Sequence, residues 1–104
     1  MNIPGMLFPA IAIVAYAQDV DQALKLEFDD LAAQAGALVE TVNAMEQRAK
    51  DMGESLHPDL VERRALVQTS IDVAAEALRA KNMPALRERL TRARGHIERL
   101  KKMI

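Results

Sequence analysis

From Leu24 onward the apolar positions of the chain fall into a strict rhythm. Leu24, Phe28, Leu31, Ala35, Leu38, Val42, Met45, Ala49 and Met52 are separated alternately by four and three residues. That spacing belongs to a helix burying one seam against a neighbour. Asp19 or Asp21 suits its start, because a short carboxylate accepts from the unpaired N–H groups of a first turn. Gly53 suits its end, where a left-handed residue costs glycine little. The predicted helix runs Asp19–Met52, about 50 Å long at 1.5 Å per residue.

The stretch "GESLHPDL" interrupts the rhythm. Pro58 fits the first turn of a second helix, where no N–H is needed, and Asp59 and Glu62 are favourable near its positive end. This helix continues to about Lys81. Its apolar residues, Leu60, Val61, Val67, Ile71, Ala74, Ala75 and Leu78, form a looser stripe into which Arg64 intrudes. A second interruption, "AKNMPAL", places Asn82 as the cap of a third helix. Beyond it Leu86, Leu90, Ala93, Ile97, Leu100 and Ile104 again alternate by four and three. Gly95 lies off this seam and costs about 1 kcal/mol of helix propensity.

Burying a seam side chain stabilises by about 1.5–3 kcal/mol, while ordering each residue's backbone costs about 1–2 kcal/mol. A lone helix of this kind loses that contest, so the seams must meet. The expected fold is all-α: an antiparallel three-helix bundle with one long N-terminal helix and a C-terminal αα-hairpin, preceded by an apolar N-terminal segment. Residues 18–104 are read as one domain. The long first helix is expected to overhang the other two, and an overhang apolar on one face favours a cover, a second copy included.

The chain of 104 residues has little aromatic content, and two of its three aromatics sit in the segment before Asp19. That segment, "LFPAIAIVAYAQ" at residues 7–18, carries no charge. Its outline is that of a secretory signal: an apolar run, small residues at Ala15 and Ala17, then an acidic stretch. Ala-x-Ala suits the signal peptidase, and cleavage after Ala17 makes Gln18 the new N-terminus. The leader "MNIPGM" lacks the usual Lys or Arg. Residues 1–17 also read as an apolar arm packed on a bundle or neighbouring subunit, or as a short anchor. A spanning helix needs about 20 apolar residues, and here Pro4, Gly5 and Pro9 interrupt the run.

A formal net charge of −1 conceals an asymmetry. Residues 18–78 hold thirteen acids and five bases, whereas residues 79–104 hold nine bases and two acids. On the third helix Arg87, Arg94 and Lys101 flank one side of the seam and Arg89 and His96 the other, with Arg92 and Arg99 further out. The flanks of the first helix (Glu27, Gln34, Thr41, Arg48; Ala32, Val39, Glu46) offer too few acids to neutralise them all. Arg87, Arg89, Arg92, Arg94, Arg99 and Lys101 are therefore the candidate partner-binding residues, suited to an acidic protein or an anionic surface. No aromatic interleaves these arginines for base stacking and no DNA-binding motif is present, so nucleic acid is not the expected partner.

Catalytic signals are weak. His57 and His96 are not spaced for a shared metal, and no metal site or cofactor is expected. Asp29 and Asp30 lie on the outer face of the first helix, where nothing separates their pKa values for acid–base work. The methionines have no repeating spacing and read as core filler. There is no cysteine and no phosphate-binding glycine loop. The expected function is therefore binding without catalysis. On one reading the protein is exported, to the periplasm or beyond, and its basic helix docks an acidic partner, with only transient membrane contact through residues 1–17. The alternative is an intracellular assembly subunit whose apolar arm inserts into a neighbour.

Overall fold

The computed structural model describes the backbone of residues 3–104 and the side chains of residues 19–104. Three helices follow one another: α1, Ile3–Asp51; α2, Pro58–Arg79; and α3, Met83–Met103. The fold is an all-α three-helix bundle, 81 × 19 × 17 Å along its principal axes.

The helix ends show why the chain turns where it does. At the end of α1, Gly53 adopts φ +73°. The N–H of Glu54 reaches Ala49 O at 2.7 Å and that of Gly53 reaches Lys50 O at 3.0 Å, a Schellman closure of the orphan carbonyls. At the end of α2 the same pattern recurs, with Asn82 N–H on Ala77 O at 2.9 Å and Lys81 N–H on Leu78 O at 3.0 Å. There the left-handed position is filled by Lys81, φ +56°. His57 caps α2 by accepting the Asp59 N–H at Nδ1, 3.1 Å away. Asn82 caps α3 by accepting the Ala85 N–H at 3.2 Å.

Asp19 and Asp21 do not cap the first helix. The backbone is helical from Ile3 through both of them to Asp51, because the residues just upstream are ordinary helix formers and no glycine or proline lies between Pro9 and Gly36 to stop propagation. The alternative readings of residues 1–17, with Ala15, Ala17 and Gln18 at the proposed cut, fall outside the residues whose side chains are described.

One apolar core joins the three helices: Leu24, Leu31, Ala35 and Val42 from α1; Leu60, Val67, Ile71, Ala74 and Ala77 from α2; Leu86, Leu90, Ala93, Ile97 and Leu100 from α3. Phe28, Leu38 and Met45 pack against it while half-buried. The seam ends sooner than its spacing implies. Met52 is 69% exposed and Ile104 45% exposed, since each lies past the last turn of its helix. Val61 is also exposed, and Ala77 takes a core place on α2 that the looser stripe did not indicate. Arg64 continues the four–three spacing of Leu60, Val67, Ile71 and Ala74, yet it is polar. It reaches back to α1 and binds Asn43 Oδ1 at 2.8 Å and Glu46.

Side-chain pairs fix the directions. Glu27 pairs with Arg94, and Gln34 with Lys101; both pairs are separated by 67 residues, so α1 and α3 run parallel. Arg63 meets His96 and Arg89 meets Val73, a descending match that makes α2 antiparallel to α3. The α2–α3 connection lies against the α1 turn at Asp21, Gln22 and Lys25, where Arg79, Lys81 and Met83 line a common groove. Among the described residues, no helix is long and apolar enough to cross a membrane.

Candidate functional site

The basic residues of α3 divide into two groups. The seam buries Leu86, Leu90, Ala93, Ile97 and Leu100, so residues next to it must point along one neighbouring helix or the other. Arg94 and Lys101 flank the α1 side: Arg94 pairs with Glu27, and Lys101 donates to Gln34 Oε1 at 2.8 Å and to Glu98 at 3.3 Å. Arg89 flanks the α2 side and donates to the Val73 carbonyl at 3.0 Å. These three cations tie α3 to its neighbours. Such partly exposed pairs contribute about 0–1 kcal/mol each, and their geometry sets register more than stability.

Arg87, Arg92 and Arg99 are exposed and make no hydrogen bond or ion pair to α1 or α2 among the described residues. Arg92 makes an exposed ion pair with Glu88 of its own helix at 2.7 Å. Arg87 and Arg99 are exposed and make no hydrogen bond or ion pair among the described residues. Gly95 lies between Arg92 and Arg99, and a Cβ built on it meets nothing within 4 Å. Lys102 continues the same outer face.

His96 is not a simple solvated flank. It is half-buried, and its Nδ1 lies 3.0 Å from Arg63 Nη1. A guanidinium only donates, so Nδ1 is the acceptor and the ring proton sits on Nε2. Burial, and then the charges of Arg63 and Arg99, hold the His96 pKa below its ordinary value, which keeps the ring neutral at pH 7. His96, Arg89 and Arg92 line a shallow groove between α2 and α3 together with Leu66, Thr69 and Val73. Sequence reasoning missed Arg63. The one available signal was its place beside Arg64 as a basic pair within the acidic part of the chain.

Other candidates stay apart. His57 is a helix cap, while Asp29 and Asp30 are exposed on α1. Ser70 donates to the Val67 carbonyl at 2.9 Å. No group of three His, Cys, Asp or Glu residues is placed to hold a metal ion among the described residues. Comparison with protein-family models, with curated proteins and with solved structures gives no match.

Proposed function

We propose that this chain is a small exported helical binding protein, whose third helix docks an acidic protein or an anionic envelope surface. The observation that supports this reading is the division of the cations on α3. Arg89, Arg94 and Lys101 are engaged within the bundle, whereas Arg92 and Arg99 share an exposed face with Lys102 and Arg87 is exposed on the α1 flank, and among the described residues no acid from α1 or α2 pairs with them. Clustered exposed cations repel one another, and an anionic partner relieves that repulsion.

Replacing Arg87, Arg92 and Arg99 together by Gln leaves helicity intact and weakens binding, and the wild-type binding weakens as salt rises. Binding that survives the triple replacement at unchanged strength overturns the docking role. Export is tested by the intact mass and N-terminal residue of the chain in its own host. A chain beginning at Gln18 in the envelope or the medium supports it.

The unbroken helical backbone of α1 from Ile3 through Asp19 favours a second reading, an assembly subunit whose apolar arm extends the bundle into a neighbour. Deleting residues 1–17 then abolishes oligomers and leaves the bundle folded. An unaltered oligomer mass counts against it.

A further inference from the structure

The α2–α3 groove concentrates positive charge in an unusual way. Arg63 donates to a neutral imidazole instead of a carboxylate, although acids outnumber bases on its own helix. Arg89 lies across α2, fixed to the Val73 carbonyl. Arg92 lines the groove beside His96. Among the described residues no acid lines the groove, whose apolar side is Leu66 and Val73. At about 280 Å³ it is smaller than the roughly 300–1,000 Å³ of pockets that enclose a small molecule. An open furrow of that volume admits one or two side chains of a larger partner.

We propose that this groove seats a carboxylate side chain from an acidic segment of a protein partner, held between Arg63 and Arg92. The proposal rests on the docking role of α3 and names where the partner's charge goes. The furrow favours a narrow peptide segment over a flat lipid surface, because Arg89, Arg92 and His96 line a trough between two helices instead of forming a plane. Arg63 is the adaptable member. A carboxylate offers it a charge-assisted bond stronger than the one to neutral imidazole, and the same carboxylate stabilises protonated His96.

The test is a titration of the isotopically labelled full chain with poly-L-glutamate at physiological salt, read by amide and histidine-ring NMR. The expected result is shifts centred on Thr69, Val73 and His96, with a rise in the His96 pKa on binding. Arg63→Gln with Arg92→Gln should weaken binding about tenfold or more, as expected for losing charge-assisted hydrogen bonds. Arg48→Gln with Lys50→Gln, the same charge change at the C-terminal end of α1, should alter it less than about threefold by screening. Because Arg63 also holds His96, Arg92→Gln is measured separately; that side chain is exposed and its ion pair is with Glu88 of its own helix, so the fold does not depend on it. Shifts confined to other faces, with both sets of groove variants binding normally, overturn the groove and leave the acidic-partner reading standing. No binding of poly-L-glutamate overturns both. Binding only to phosphatidylglycerol vesicles overturns the groove in favour of a membrane surface.

Discussion

Arg64 of α2 grips Glu46 of α1 with both terminal nitrogens, Nη1 at 3.1 Å from Oε1 and Nη2 at 3.2 Å from Oε2. Arg64 occupies a seam position, so this pair and the adjacent bond to Asn43 fix how α2 sits along α1, much as a polar residue in a coiled-coil seam fixes register. The hydrogen bond from Arg64 lowers the Glu46 pKa below 4.5. A carboxylate with a lowered folded pKa adds stability that is present above 4.5 and lost as pH falls through the folded value. Urea midpoints should therefore fall with acidification below about pH 4.5, and Glu46→Gln should flatten that part of the curve. An unchanged slope in Glu46→Gln assigns the acid sensitivity to other carboxylates.

His96 titrates in the same direction at higher pH. Its folded pKa lies below 6.5, through burial first and then the charges of Arg63 and Arg99. The unfolded chain therefore binds the proton first. Stability is complete above 6.5 and declines as pH falls through the folded pKa. His96→Gln should remove this dependence. Arg63→Gln should raise the ring pKa toward its ordinary value, which a histidine NMR titration reads directly.

Leu90 and Ile97 are almost wholly buried in the shared core. Truncating either to Ala should cost about 2–5 kcal/mol, a large share of the roughly 0.05–0.15 kcal/mol per residue that stabilises a domain. Leu26, 58% exposed on α1, is the contrast: Leu26→Ser should change stability by about 0.5 kcal/mol or less. Chemical denaturation of the three variants separates the two classes.

Gly95 and Lys81 are each the less stable choice where they stand. A Cβ at position 95 meets open space, so Gly95→Ala should stabilise α3 by about 0.5–1 kcal/mol. Lys81 holds a positive φ, a conformation costing an L-residue about 1–2 kcal/mol, and Lys81→Gly should recover about 1 kcal/mol of it. Thermal midpoints should rise in both variants; a fall in Lys81→Gly means its side chain makes a compensating contact.

The parts of this fold legible in sequence were those set by local periodicity. Every α3 seam residue from Leu86 to Leu100 is buried as its spacing predicts, and Gly53, Pro58 and Asn82 act at the helix ends as their chemistry requires. The start of α1 was not legible, because a carboxylate that suits a cap also tolerates an exposed place inside a helix. The candidate face was only half legible. Spacing placed Arg94 and Lys101 beside the seam, but their partners Glu27 and Gln34 depend on the alignment of α1 with α3, which long-range packing decides. Arg63 and His96 lie 33 residues apart, and nothing local links them.

Three helices, an odd number, have a mechanical consequence. With α1 and α3 parallel, tension applied at the start of the bundle's α1 segment and at Met103 acts along the axis and drags the two helices past each other. The Arg94–Glu27 and Lys101–Gln34 pairs then strain together, along with the interlocked side chains of the core, instead of opening one after another. A two- or four-helix arrangement would bring its ends to one side and peel like a zip. This bundle is built as a tie-rod, stiffest against the direction in which its two ends would be pulled.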